Sequence, residues 1–483
     1  MNLKKETKKT LFFLILFLVI IAIYFEINIL IDKLKINDID VTSQRIHSIT
    51  DESIEKIKSI NKNINIKLVN FENNKNYQQT ENIIKQYNNI NDKIIINYEL
   101  DTQSTVPYVI IECDSKSQKI TLDDLYFYKY STKTYFQEEY NLVENTMTNA
   151  IINISTEKTN DIYFYLEKSV YSKAYMQNSF YLNEIRNMGN NICYLELSEQ
   201  KNIPENCKCL VIPPLAEDIS EEEKNIIINY INNGGNLMLL EESKSLLNIE
   251  TPNFDTVMAE YGVAVSTGIV FEEDNKNIVN DAAGCIYGKI NYDSEIFKNL
   301  RKNSTVCLID TGMLVFKDAE NLKDLKVNYT PIITASNEAF LRTDFSTAAL
   351  QNVKRIDSDI DANNAILAAH VQKDVNENKK SNLIIFANST FVANESFLIV
   401  NPITNNTEAT ELVSLEDNME VILKSVEYLA DNNNSVMIRK LQYDYIPTID
   451  FIRNNVNIEL LFGIPFLLII VGYIIWRVRK NKK

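Results

Sequence analysis

The sequence predicts an α/β body held between two membrane spans, with that body outside the cytoplasm. Three observations predict it. An apolar run lies near each end of the chain, basic residues flank both runs on their terminal sides, and the middle alternates strand-like and helix-like segments. Lys208–Glu242 is the clearest such unit. Cys209–Pro213 is short and almost wholly apolar, as a strand buried on both faces requires. Pro213 and Pro214 end it, since proline lacks the N–H that a central strand donates. Ser220 with Glu223 forms a capping box that opens a helix, and Ile226, Ile227, Tyr230 and Ile231 give that helix its apolar stripe. Gly234 and Gly235 stop it before the next apolar strand, Asn236–Leu240. Strand, helix and strand in this order make one crossover of a parallel sheet.

Composition sets the outer limits. A chain of 483 residues has room for two or three domains. Its net charge is −16, but residues 1–9 carry +3 and residues 477–483 carry +5, which leaves −24 for the rest. An acidic body excludes nucleic acid as a partner, because phosphate contact needs a basic face. The six cysteines include no CxxC pair, and His47 and His370 are the only histidines, so no metal site and no cofactor are expected. In Cys207-x-Cys209 the sequence reads as one loop residue and one buried strand residue.

Leu11–Phe25 has fifteen residues without charge or amide, preceded by Lys4, Lys5, Lys8 and Lys9. Thr10 and the stretch to Ile31 lengthen it into an N-terminal anchor over 10–31. A cleaved signal peptide has the same charged start, but no small-x-small site follows, so an uncleaved anchor is expected. At the other end, Leu460–Trp476 is seventeen apolar residues, about 25 Å of helix. With Arg477, Arg479, Lys480, Lys482 and Lys483 after it, the segment 458–476 reads as a second span in the lipid bilayer of the cell membrane. Basic flanks mark the cytoplasmic side, so both termini are expected inside and the body outside.

Within the body, residues 37–135 read as a small α/β domain. Thr50 and Asp51 precede an Ile54, Ile57, Ile60 periodicity, a capped helix. Ile64–Phe71 alternates as a strand, a helix near Tyr77–Ile90 and a strand at Lys93–Leu100 follow, and Val106–Cys113 with Gln118–Leu122 makes a hairpin. This order is thioredoxin-like, without the CxxC that redox chemistry needs. The aromatic cluster Tyr126, Phe127, Tyr128, Tyr130, Tyr135 and Phe136 either stacks on a sugar or packs one domain on the next. Phe136–Ile154 carries apolar residues at helical spacing, a connecting helix within 136–158.

Residues 159–440 read as a flavodoxin- or amidotransferase-like domain with a parallel sheet. Asp161–Leu166 and Asn191–Leu195 are its first strands, with a helix over Ala174–Met188 between them. The region 263–369 reads as a loop-rich insertion. Its acidic run Asp357, Asp359 and Asp361 lacks the glycine and distal glutamate of a calcium loop, and reads as a solvated face.

Several segments together resemble GldG-like proteins, auxiliary membrane components of gliding-associated ABC transporters. They are VTSQRIHSITDESIEKIKSI, ENTMTNAIINIS with DIYFYLE, NIPENCKCLVIPPLAEDISEEE through GGNLMLLEE, SNLIIFANSTFVANESF, and EVILKSVEYLADNNNSVMIRK. The order of these five weak motifs carries the resemblance, which covers most of the body and both spans. It implies a membrane-anchored extracytoplasmic partner of an ABC-2-type permease and a separate ATPase subunit. One departure is Glu167-Lys168-Ser169-Val170, where the family often has a Gly-His-Gly-Glu turn.

Three function classes follow. A binding module would use the crevice at the carboxyl ends of the strands, with Glu167, Tyr171, Pro213, Pro214, Glu217 and Glu241 as its candidate residues, for a cell-wall glycan or peptide. An amidotransferase-like hydrolase needs a nucleophile on the turn after a central strand. The Pro-Leu-Ala-Glu turn after Pro213 offers neither Ser nor Cys, so no enzyme is expected. No Walker motif is present, so ATP hydrolysis would belong to another chain. The remaining class, an accessory subunit of a transporter, fits the two spans and the resemblance.

Overall fold

The computed structural model describes residues 40–441 apart from short internal stretches, the longest being 401–406 and 432–435. The spans expected at 10–31 and 458–476 lie outside the described residues. Among the described residues no helix is long and apolar enough to cross a membrane.

The chain enters a four-stranded mixed sheet. Strand β1 (Ile64–Val69) pairs in parallel with β2 (Ile94–Glu99) across the helix Gln78–Ile90. Strand β3 (Tyr108–Cys113) runs antiparallel to β1 and turns into β4 (Lys116–Ile120), giving the order β2-β1-β3-β4. Alternation explains the sidedness: Ile64, Ile66 and Leu68 are buried while Asn65 and Lys67 between them are not. The expected helix is Asp51–Lys58 with Thr50 at its N-cap, but Thr50 makes no side-chain cap. Its hydroxyl instead donates to Glu144 Oε1 at 2.5 Å.

The next stretch departs from the sequence reading. Phe136–Asn141 is not helix but strand β6, paired with β5 (Tyr126–Ser131). Phe136 and Tyr140 are four apart, a spacing that satisfies a strand's period of two as well as a helical turn. The helix proper is Val143–Ser155, buried on almost every side. It packs on β3, β4 and both preceding helices, and also on the helix Phe180–Asn187. An all-round buried helix between two sheets is the hinge-less core of a joint. Gly189 fits against it, with φ +85° and no room for a side chain, since a Cβ there would collide with Asn153.

The second unit is built on a nine-stranded sheet. Strands β7 (Asn160–Tyr165), β8 (Asn190–Leu195), β9 (Cys207–Ile212) and β10 (Leu237–Leu240) run parallel in the order β8-β7-β9-β10. Cys207 therefore heads a strand rather than ending a loop, and Cys209 is fully buried. The capping box is formed: Ser220 Oγ accepts from Glu223 N at 3.2 Å and Glu223 Oε2 accepts from Ser220 N at 2.6 Å. It opens the helix Glu221–Asn232, which ends before Gly234 at φ +73°.

Region 263–369 enters the same sheet in part, and the rest of it forms smaller pairings beside that sheet. It holds β11 (Val263–Val265), β12 (Ile269–Glu272), β13 (Cys285–Ile290), β14 (Thr305–Ile309), β15 (Leu314–Phe316), β16 (Val327–Thr334), β17 (Ala339–Arg342), β18 (Ile360–Asp361) and the start of β19 (Ile366–Asn376). Strand β20 (Lys379–Phe386) then pairs in parallel with β10. The full order is β14-β13-β16-β19-β20-β10-β9-β7-β8. The expected parallel sheet is thus mixed: β8, β7, β9, β10 and β20 are parallel, and β19, β16, β13 and β14 follow with each strand antiparallel to the one before it. The short β19–β20 connection forces the change of direction, because only antiparallel strands join by a hairpin.

Helices Glu221–Asn232 and Pro252–Ala259 cover one face, and Phe180–Asn187 with Asn418–Ala430 covers the other. Smaller pairings are β11-β15, β12-β17-β18 and the hairpin β21 (Ser396–Val400) with β22 (Thr407–Glu411). Strand β23 (Lys440–Leu441) returns to pair with β6. Of the acidic run, Asp357 and Asp361 are solvated as expected, and only the Asp359 side chain departs from that reading. Asp359 is fully buried and takes Arg342 Nε at 3.0 Å and Nη2 at 2.7 Å, while Asp361 pairs with Arg355. A buried guanidinium demands such a fork-to-carboxylate partner.

Candidate functional site

In an open α/β sheet the ligand crevice lies outside the carboxyl ends of the strands, where the strand order reverses. Here β7 sits between β8 and β9, so the reversal falls between the ends of β7 and β9. Their loops close it by pairing main chain to main chain. Val170 N donates to Pro214 O at 2.9 Å, Ala216 N donates to Lys168 O at 2.7 Å, and Ser169 bridges Leu215. Pro213 and Pro214 are buried beneath this pairing, and Glu167 and Glu217 point to solvent on its outside. Glu167 accepts from Ser198 N at 3.1 Å, and Glu217 lies 3.6 Å from Lys168 Nζ.

The structure brings Tyr171 and Glu241 nearer to a second polar cluster, one strand further along. It gathers the residues after β10, β20 and β14. Glu242 follows β10, and its Oε1 accepts from both Ser389 N and Ser389 Oγ at 2.7 and 2.6 Å. The Tyr171 hydroxyl lies 3.0 Å from Ser389 Oγ, and its ring stacks on Tyr175 at 5.1 Å. Asn388 donates to Ile309 O at 2.6 Å and accepts from Phe391 N at 2.9 Å, which fixes the loop after β20. Thr311 Oγ and Gly312 N both donate to Ala387 O, at 3.1 and 2.9 Å.

Alternation along β10 sends Glu241 and Glu242 to opposite faces of the sheet. Both are buried. Burial pushes the Glu241 carboxyl up to about 8, and Lys244 nearby lowers it only in part. Burial likewise raises Glu242 to about 7, against the hydrogen bonds from Ser389. Burial alone raises Asp310. Glu241 Oε1 and Ser243 Oγ have no hydrogen-bond partner among the described residues. Burial in this cluster favours the protonated form of its carboxyls, and Lys244 offsets that only in part at Glu241.

The histidine that a hydrolase would need stands elsewhere. His370 is in β19, buried, with Nε2 3.2 Å from Asn382 Oδ1 and its ring edge-on to Tyr428 at 4.9 Å. Asn382 lies in the first half of β20, far along the strand from the carboxyl edge. Among the described residues no group of three or more His, Cys, Asp or Glu side chains is placed to hold a metal ion.

Glu242 lies within the Glu241–Ser243 stretch that the sequence places at the crevice, whereas Ser389 and Asp310 were not singled out. The signal available was positional: each stands within three residues of the end of an apolar strand.

A larger concavity lies between the two units. It has a volume of about 710 Å³, and Phe127, Tyr128 and Phe180 are among its walls. Of the aromatic cluster read from the sequence, Tyr130 is buried packing, whereas Tyr128 is 49% exposed.

No curated protein matches the chain. Among solved structures, the one titled mmIFT52 N-terminal domain is similar over 56% of this chain and 97% of that one, at 13% identity and a TM-score of 0.37. A family model described as an ABC-type uncharacterized transport system matches residues 165–424, from the end of β7 to the middle of the Asn418–Ala430 helix. The match spans more than half of the chain, and the protein belongs to this family of ABC transport-system auxiliary components.

Proposed function

We propose that the protein is a non-catalytic, membrane-anchored accessory subunit of an ABC-2-type transporter, with its body outside the cytoplasm. It acts by binding or scaffolding on a permease whose ATPase is a separate subunit. One observation carries this reading: the family match over residues 165–424 takes in eight of the nine strands of the large sheet and the end of β7, and the carboxyl edge of that sheet is taken up by its own loops. The turn after β9 offers no nucleophile and His370 is remote from it, which supports a role without catalysis.

Mild detergent extraction of the full chain, followed by mass spectrometry, tests the reading. Permease and ATPase peptides are expected in the purified complex; recovery of the chain alone counts against it. The topology has its own test. A cysteine at exposed Asn337 should react with an impermeant maleimide on intact cells, and one placed after Lys483 only after lysis. Of the native thiols only Cys193 and Cys207 are partly exposed and need prior replacement.

A second reading, a surface glycan- or peptide-binding module, draws support from the aromatic concavity of about 710 Å³ between the two units.

A further inference from the structure

Strand β2 ends the four-stranded sheet, and among the described residues no strand pairs with its outer edge. The ladder to β1 fixes which groups that edge presents. Ile64 N donates to Lys93 O at 2.9 Å, and Asn70 N donates to Glu99 O at 3.0 Å. A strand residue directs its N–H and C=O to one side, and the side alternates along the chain. Lys93, Ile95, Asn97 and Glu99 therefore bond to β1, while Ile94, Ile96 and Tyr98 turn theirs outward. Ile94 is already engaged: its N–H donates to Asn91 O at 3.1 Å, and its carbonyl accepts from Asn88 Nδ2 at 2.6 Å. The open main chain of this edge is Ile96 and Tyr98.

Sheet edges are ordinarily blunted by charge, proline or a bulge. Ile94–Tyr98 carries neither a charge nor a proline, and it pairs with β1 without a shift of register. Ile95 is 54% exposed and Leu100, just past the strand, is 81% exposed. The edge is also complementary to itself. When two copies of β2 meet antiparallel about a two-fold axis at Asn97, Ile96 of each copy stands opposite Tyr98 of the other. Each of these pairs exchanges both of its N–H···O bonds, so every open group is used. Isoleucine opposite tyrosine is the β-branched–aromatic pairing that stabilises neighbouring strands. The same register brings Leu100 opposite Ile94, and Lys93 opposite Asp101 at both ends of the contact. An axis at Ile96 instead would set Tyr98 against Ile94, which has no main-chain bond left to exchange.

We propose that the protein forms a homodimer in which the β2 edges of two copies join their four-stranded sheets into one of eight strands, with the two-fold axis at Asn97. The partner is a second copy of this chain. The proposal stands apart from the permease association, which copurification tests by itself.

Cysteine cross-linking of the full chain in detergent, with Cys193 and Cys207 first replaced by serine, tests the register. Asn97 of one copy faces Asn97 of the other at a position without hydrogen bonds, with Cα atoms about 4.5 Å apart, within disulfide reach. The two Ile95 residues stand about 13 Å apart in the same register. With oxygen and copper–phenanthroline as oxidant, Asn97→Cys should give a covalent dimer about tenfold faster than Ile95→Cys. Light scattering should give the parent the mass of two chains. Tyr98→Pro should give the mass of one with an unchanged circular-dichroism spectrum, because the N–H it removes faces away from β1. If that variant fails to fold, the cross-linking ratio still decides. A parent of single-chain mass at every concentration, cross-linking at Ile95 as fast as at Asn97, or a dimer that persists in folded Tyr98→Pro overturns the proposal. Protection of the Ile96 and Tyr98 amides only in complex with another protein assigns the edge to that protein and overturns it as well.

Discussion

Two buried polar regions of this molecule handle charge in opposite ways. The joint between the two units pairs each of its buried cations with acids. Lys129 reaches Asp417 at 3.2 Å and Glu138 at 3.4 Å, Arg439 reaches Glu420 at 3.2 Å and Glu184 at 3.3 Å, and Lys440 pairs with Glu144. The carboxyl edge of the nine-stranded sheet gathers Glu241, Glu242 and Asp310, and no described cation forms an ion pair with them. Burial lowers the Lys129 ammonium, but Glu420 and Asp417 outweigh it and the group ends raised. At the edge Lys244 and the Ser389 hydrogen bonds oppose burial without outweighing it, and the carboxyls end raised. Glu184 is the joint's partial exception, raised by burial against the pull of Arg439. Buried charge acts as a fastener where a counter-charge shares the site, and as a titrating acid where none does.

Removing one partner at the joint should give the largest effect. Lys440 Nζ donates to Arg45 O and Ser48 O at 2.6 Å each, besides pairing with Glu144. Beside it, Asn149 exchanges hydrogen bonds with Val436 and Asn145 Oδ1 accepts from Ile438 N. This short segment thus ties the Val143–Ser155 helix to the stretch that follows the start of the body. Lys440→Met strands Glu144 in the interior, a loss of about 3–5 kcal/mol. Hydrogen exchange should show the Val143–Ser155 amides losing protection, and Lys440→Met/Glu144→Leu should recover much of it. Unchanged protection in the single variant would break the comparison.

The edge should respond to pH where the joint does not. An acid whose folded value is raised keeps its proton in the folded chain while the unfolded chain releases it. The ordinary glutamate value is 4.5, and Glu242 and Glu241 stand at about 7 and about 8. Stability is therefore lost as pH rises from about 4.5 to about 8, and the contribution is retained below that window. Lys129, raised from 10.5, loses its contribution only above that value, so its pairing with Asp417 and Glu138 does not weaken through loss of the Lys129 proton in that window. Glu241→Gln should remove a slope on the order of 2 kcal/mol between pH 5 and 8. Urea midpoints across that range, parent against variant, provide the measurement. A variant as pH-sensitive as the parent would place the titrating group elsewhere.

What could be read from sequence divides along the same physical line. Cys209–Ile212 and Leu237–Leu240 announce themselves because a strand covered on both faces is apolar at every position, and all eight residues are buried. The Ser220–Glu223 box and Gly234 are likewise local, confined to one helix end. Strand β16 is legible from sequence only in the half that begins at Pro331, since its first half is mostly exposed and the register breaks beside that proline. The Arg342–Asp359 pair spans 17 residues and joins a strand to a loop, a contact no periodicity encodes. At the site, Glu241 and Tyr171 were accessible as residues just beyond strand ends. Ser389 binds Glu242 across 147 residues, and only the neighbouring placement of β10 and β20 reveals the partnership.

The smallest effect is expected at a pair chemically like Lys440–Glu144 but standing in water. Lys201 Nζ lies 3.0 Å from Glu222 Oε1, with side chains 62% and 64% exposed. Water screens that attraction, and two long side chains lose rotamer freedom to keep it. Lys201→Ala should change the urea midpoint by no more than about 0.5 kcal/mol equivalent, and added salt should shrink even that. Glu222 loses its partner yet stays solvated, so nothing is stranded. The joint variant differs on two counts: it also removes the bonds to Arg45 O and Ser48 O, and it leaves a carboxylate that water cannot reach. If Lys201→Ala costs as much as Lys440→Met, proximity of opposite charges rather than burial sets the scale, and the contrast between joint and surface collapses. If the two differ by several kcal/mol, desolvation is what makes the joint a fastener.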